Sequence, residues 1–194
     1  MQTEWEASFW SIDKDEVRAR LTAAGAELIY PERDMRRYGF FPPAGTLLQK
    51  SWVRIRDEGD RVTMSIKQVG AKLDEQKELE IVVNDFETGA EFLRTLGCKE
   101  KAFQETKREL WRIGVVDIVI DSWPFLEPLV EIEGPSEVAI REVAEKLGFV
   151  WEHARFTSVA EAYMEKYGVT YERINTGTPQ LVFDGPNPFL EAGI

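Results

Sequence analysis

Residues 52–67, WVRIRDEGDRVTMSIK, read as two short strands joined by a turn. In the first, Arg54 and Arg56 share one face while Val53 and Ile55 share the other. In the second, Val62, Met64 and Ile66 alternate with Thr63, Ser65 and Lys67. Side chains two apart on a strand point to the same side, so this stretch makes a sheet with one apolar and one charged face. Asp57-Glu58-Gly59-Asp60 between the strands has the composition of a tight hairpin turn,.

The same pattern recurs further along. Asp117, Val119 and Asp121 oppose Ile118 and Ile120, and Glu131 and Glu133 oppose Val130 and Ile132. Gly114 can turn the chain from a strand at 108–112 into one at 116–120,. Three Glu-x-Glu pairs, Glu4/Glu6, Glu78/Glu80 and Glu131/Glu133, each run into a helix that closes on glycine. These helices are expected at 13–24, 85–96 and 136–147, ending at Gly25, Gly97 and Gly148, with a fourth at 157–167 before Gly168,. Residues 42–46 read as a loop. The segment 171–194 is rich in Gly, Pro and Asn and is expected to add one strand near 180–183 and otherwise to be loose,.

The predicted fold is therefore α+β, one domain over 1–170 followed by the tail, with helices covering the apolar face of an antiparallel sheet. The charged face has two readings. It can lie in water, as one face of an antiparallel sheet often does. Alternatively, eight or more short strands can close into a barrel that encloses it. An interior holding those acids beside Arg54, Arg56, Lys67 and Arg108 would be costly unless something charged filled it.

Composition narrows the classes of function. The chain has 194 residues, 43% of them apolar, enough for a buried core,. A net charge of −11 argues against a general nucleic-acid or membrane-surface binder,. Cys98 and His153 are each alone, which excludes a disulfide framework and a thiolate or His-rich metal site,. Cys98 is expected to be a buried structural thiol. Trp5, Phe9, Trp10, Trp111, Trp123 and Trp151 are read as packing residues,. No leader sequence or apolar span is evident, so the expected location is cytoplasmic,.

The order of the charged elements carries more than any one of them. TEWEASF (3–9), WVRIR (52–56), SIK (65–67), KELEI (77–81), TKREL (106–110), VID (119–121) and LVEIEG (129–134) together resemble the CYTH superfamily, the triphosphate tunnel metalloenzymes. That superfamily includes class IV adenylate cyclases and thiamine triphosphatases, and the resemblance spans roughly residues 2–168. It implies a closed antiparallel eight-stranded barrel with helices outside. Glu4, Glu6, Asp121, Glu131 and Glu133 would hold Mg²⁺ or Mn²⁺. Arg54, Arg56, Lys67 and Arg108 would bind triphosphate, with Arg36 or Arg37 as a further contact and only one of Lys107 and Arg108 pointing inward. Glu78 and Glu80 would orient basic side chains, so that Lys67, Glu78 and Glu80 form the expected catalytic set. The expected ligand is a triphosphate-containing small molecule: tripolyphosphate, thiamine triphosphate or ATP. No nucleic acid or membrane partner is expected, and a homodimer is left open.

One position departs from the pattern: the family's first motif ends in lysine, and this chain has Ser8. A neutral hydroxyl cannot replace an ammonium, which leaves Lys50 and Lys67 as substitutes. Three activities follow as expectations: metal-dependent triphosphate hydrolysis, cyclisation of ATP to cyclic AMP, and binding without turnover.

Overall fold

The computed structural model describes residues 2–3, 5–45, 51–68 and 77–190. Among them, nine strands form one antiparallel path: β1 (Gln2–Thr3), β6 (Lys77–Val83), β5 (Val62–Gln68), β4 (Ser51–Asp57), β3 (Glu27–Phe41), β7 (Lys99–Ile113), β8 (Val116–Ser122), β9 (Leu129–Gly134) and β2 (Trp5–Trp10). A tenth, β10 (Gln180–Leu181), runs parallel to β7 and pairs with Phe103 and Gln104, beyond the point where β8 stops. Five α-helices accompany the sheet among the described residues: α1 (Lys14–Ala23), α2 (Phe86–Thr95), α3 (Glu137–Lys146), α4 (Ala160–Tyr167) and α5 (Tyr171–Asn175).

The α+β architecture and the four longer helices agree with the sequence reading. The closed eight-stranded barrel does not follow from the pairing, because the two ends of the path, β1 and β2, are not bonded to each other. The N-terminal segment instead meets each edge through different residues. Gln2 and Thr3 pair with Glu78 and Lys77 of β6, whereas Trp5–Trp10 pair with β9.

Helix starts follow local chemistry. The Asp13 carboxylate accepts from the backbone of Asp15 and Glu16, Asp85 from Thr88, and Ser136 from Ala139, each satisfying amides that a first turn leaves open,. Gly97 (φ +87°) and Gly148 (φ +78°) then turn the chain out of α2 and α3 through the left-handed region,.

The strands bury their apolar faces outward, against the helices. Ala7, Phe9, Ile118, Ile120, Val130 and Ile132 pack under Val17 and Leu21 of α1 and Ile140, Val143 and Ala144 of α3. Val53 and Ile55 of β4 meet Phe86, Ala90 and Leu93 of α2, with Cys98 at the margin. Gly89 permits that close approach, since a methyl there would lie 2.3 Å from Ile55 Cδ1. A third cluster joins Trp123 and Leu129 to Ala160 and Tyr163 of α4 and to Ile174, Leu181 and Phe189. The segment after Gly168 thus does add a strand near 180, but residues 171–190 also form α5 and bury three apolar side chains rather than lying loose. Among the described residues no helix is long and apolar enough to cross a membrane.

Candidate functional site

With the apolar faces turned to the helices, the charged faces look inward on a cavity of about 1800 Å³. Its wall draws on every strand from β2 to β9, and its charged lining includes Glu6; Arg37; Arg54 and Arg56; Lys67; Glu78 and Glu80; Lys101 and Arg108; and Glu131 and Glu133. Curling of the sheet brings distant strands together. Lys67 Nζ on β5 lies 3.2 Å from Glu6 Oε2 on β2, although the two strands stand near opposite ends of the pairing path.

The cationic part centres on four arginines. Arg54 Nη2 donates to Glu78 Oε1 at 3.1 Å and stands 3.6 Å from Glu80 Oε2. Arg56 is held by Glu58, whose Oε1 accepts from Arg56 Nε at 2.8 Å and from Thr63 Oγ1 at 3.2 Å. Arg61 Nε reaches the other oxygen of Glu58 at 2.9 Å. Burial would raise the Glu58 carboxyl, but Arg56 and Arg61 overcome it and hold the group at about 2,. Burial and the charges of Arg54 and Arg108 bring Arg56 down to about 10.

Arg108 points inward and Lys107 outward towards Asp34, 3.6 Å away, as strand alternation requires of neighbours,. Arg108 Nε donates to Asp121 Oδ1 at 2.7 Å, its Nη2 also engages Asp121 Oδ2, and the same nitrogen donates to Glu131 Oε2 at 2.8 Å. Burial alone would lower the Arg108 pKa; the charges of Asp121 and Glu131 reverse this and push it well above the ordinary value.

Arg37 differs from the others. It is 8% exposed, and its polar contact is a neutral one, Nη2 to Thr106 Oγ1 at 3.1 Å. Its Nε is buried without a partner. Burial, then Arg54, Arg56 and Arg108, push its pKa well down. A guanidinium keeps its proton, so that pressure amounts to an unmet need for an anion. Arg36, the alternative read from the sequence, faces out to Asp57 at 3.1 Å.

The acidic part lies on β2, β8 and β9. Glu6 stands opposite Glu133 in register, and Ser8 opposite Glu131. Burial first, then Glu6 and Asp121, raise the Glu131 carboxyl to about 7. Glu133 is exposed to water, unlike its neighbours Ile132 and Glu131, yet desolvation and then Glu6 raise it to about 7 as well. Oxygen donors of this kind suit a hard cation, which would relieve the repulsion. Among the described residues no three acids yet converge on one point. Asp121 and Glu131 are engaged by Arg108, and Glu6 by Lys67. Both Asp121 oxygens are so occupied that it is better placed to orient Arg108 than to face a cation. Glu4 and Lys50 lie outside the described residues.

Ser8 is not an open position. It is 5% exposed and its backbone exchanges two 2.9 Å hydrogen bonds with Arg155, while Trp10 Nε1 donates to its hydroxyl at 3.1 Å. The Ser8 hydroxyl itself donates to the Arg155 carbonyl at 3.3 Å. The ammonium beside Glu6 is that of Lys67.

Sequence reasoning misses Glu58, Lys101 and Trp123. Glu58 reads as part of a turn, and only its burial among arginines reveals its role. Lys101 faces in because of an irregularity in the β3–β7 pairing between Gly39 and Phe40,. It lets Glu100 bond Arg94 outside while Lys101 turns to the cavity, where burial and then Arg37 lower it to about 8. Trp123, read as packing, lies with its ring 4.4 Å from the Arg37 guanidinium.

Among solved structures, the chain is similar to PH1012 of Pyrococcus horikoshii, with TM-score 0.67 and 19% identity over 80% of this chain and 96% of that one. It is similar to a candidate adenylate cyclase of Vibrio parahaemolyticus, with TM-score 0.70 and 13% identity over 82% and 97%. It is also similar to HpAC1 of Hippeastrum, described as having a dominant triphosphatase activity, with TM-score 0.55 and 14% identity over 89% and 99%. At these identities the likeness concerns the fold. No curated protein matches the chain. The family model of the CYTH domain matches residues 37–167, more than half of the sequence, and the chain belongs to that family.

Proposed function

We propose that the cavity binds a triphosphate together with Mg²⁺ or Mn²⁺ and hydrolyses it, the curled sheet serving as a tunnel. The observation that carries this reading is Arg37, a buried cation with no acidic partner among the described residues, in a wall shared with Arg54, Arg56 and Arg108. Arginine forks match phosphate oxygens, and several of them together fit a ligand with several negative charges. Arg37, Arg54, Arg56 and Arg108 grip the phosphates, and Lys101 adds a charge at the Arg37 side. Glu78 and Glu80 hold Arg54 in place, Glu58 holds Arg56, and Asp121 holds Arg108.

Glu6, Glu131 and Glu133 are the residues that would carry the metal, with Glu4 as the notable neighbour in sequence. When bound, such an ion neutralises phosphate charge and activates water or the leaving group. Lys67 stands beside Glu6, where it supplies the positive charge that Ser8 lacks.

Release of inorganic phosphate from tripolyphosphate, thiamine triphosphate and ATP, followed colorimetrically with Mg²⁺ or Mn²⁺, tests the proposal. Metal-dependent release from at least one of them is expected, falling at least about a hundredfold in Arg54→Ala, which removes both charge and positioning. A wild type that releases phosphate from none of the three is not a hydrolase of this class.

A further inference from the structure

The cavity does not end where the CYTH match ends. That match stops at residue 167, yet Tyr171, Ile174, Asn175 and Leu181 also line the cavity wall. A continuous set of contacts runs from this later segment to Arg37. Phe189 packs against the rings of Tyr163 and Tyr167, with centroids 4.8 and 5.5 Å away. The two tyrosines donate hydrogen bonds to successive backbone carbonyls, Tyr163 to Pro124 at 2.7 Å and Tyr167 to Phe125 at 2.6 Å. Asn187 Nδ2 donates to the Tyr167 hydroxyl at 3.1 Å from the same late segment.

Phe125 is held at φ +65°, a conformation that a bulky L-residue adopts only when its surroundings impose it,. Those two carbonyl contacts fix the turn that follows Trp123. The Trp123 ring, 7% exposed, in turn supports Arg37. Both the Arg37 Nε and the Trp123 Nε1 are buried without partners. Among the described residues no carboxylate holds Arg37, so the aromatic face and Thr106 are what orient it. In this it contrasts with Arg54, Arg56 and Arg108, which are each positioned by acids.

We infer that the segment beyond the family domain is a working part of the anion site: through Phe189, Tyr163 and Tyr167 it fixes Trp123, and Trp123 is the positioning residue that aims Arg37 at the ligand phosphates. The inference rests on the functional reading above. Phe189 and Asn187 lie beyond residues 37–167, which the family match covers. The arrangement suits a cation that must stay available, since an acid in place of the ring would neutralise Arg37 before any phosphate arrived.

Calorimetric titration of the full chain and five variants with tripolyphosphate and Mg²⁺ tests it. Trp123→Leu removes the aromatic face and is expected to weaken binding about tenfold, whereas Trp123→Phe keeps a ring and stays within about twofold of wild type. Phe189→Ala loosens the support from a distance and is expected to cost about threefold. Ile140→Val, in the core behind β9, is the stability control and is expected to lower the melting temperature without changing affinity,. If Trp123→Leu does not fold, Phe189→Ala and the milder Tyr167→Phe decide the question. Binding by wild type, with the Trp123 and Phe189 variants binding equally well or the control weakened as much as they are, overturns this inference alone. A wild type that binds no tripolyphosphate overturns the functional reading and this inference with it.

Discussion

Arg108→Ala is expected to lose about 3–5 kcal/mol of folding stability at neutral pH, the range seen when one partner of a buried pair is removed. Arg108 is the cation for two acids, Asp121, which is fully buried, and Glu131. Without it both carboxylates face each other in a poorly solvated site, which favours their protonation. The loss is therefore steeper at pH 8 than at pH 5, where protonation can neutralise them. Asp121→Asn in the same chain removes one of the two stranded charges and is expected to recover part of the loss. Guanidinium unfolding at the two pH values measures all of this. A single variant within about 1 kcal/mol of wild type at pH 8 would show that the triad does not hold the sheet together.

The second large effect concerns the intact protein without metal. Glu131 and Glu133 are held at about 7, above the usual carboxylate range, by burial and by Glu6. Their folded values exceed their unfolded ones. Between about pH 4.5 and 7 the folded state thus binds more protons than the unfolded state, and stability falls as pH rises through that window. Glu58 works in the opposite sense but only below about pH 4.5, since its folded value is about 2. Lys101, lowered to about 8, loses stability relative to an unperturbed lysine below about pH 10.5, with that loss complete below its folded value, so it adds no slope below 7. The melting temperature of the metal-free protein is expected to drop by several degrees between pH 5 and 7.5, and Mn²⁺ to recover most of that drop at the upper end. A flat profile, or no response to Mn²⁺, would remove the acids on β2 and β9 as cation ligands.

Much of the fold and site is legible in the sequence because strand alternation and charge coincide. Arg54 and Arg56 against Val53 and Ile55, or Glu131 and Glu133 against Val130 and Ile132, announce which face is apolar through residue order alone. Glycine and capping residues mark α1, α2 and α3 for the same local reasons. What stays hidden depends on irregular pairing. β3 does not read as a strand because register shifts between Leu28 and Tyr30, and again before Arg33, break the period of two that would reveal it. Lys101 owes its orientation to another such shift. Glu58 and Trp123 are recognisable only from what surrounds them in space. The Ser8 departure reads as a missing part, but the pairing with Arg155 and the reach of Lys67 to Glu6 span 147 and 61 positions of chain. No local motif could show either. Closure of the sheet is expected from strand number, whereas the N-terminal segment divides its bonds between β6 and β9 instead.

The proposed site needs cations on one side of the cavity and acids on the other to hold a metal-bound triphosphate together. Isothermal titration of the wild type with tripolyphosphate, with and without Mn²⁺, addresses it most directly. Saturable binding of one tripolyphosphate per chain is expected, at least about tenfold tighter with Mn²⁺ than in chelator, and lost in Arg37→Ala. Absence of binding in both conditions, or binding indifferent to both Mn²⁺ and Arg37, would contradict it.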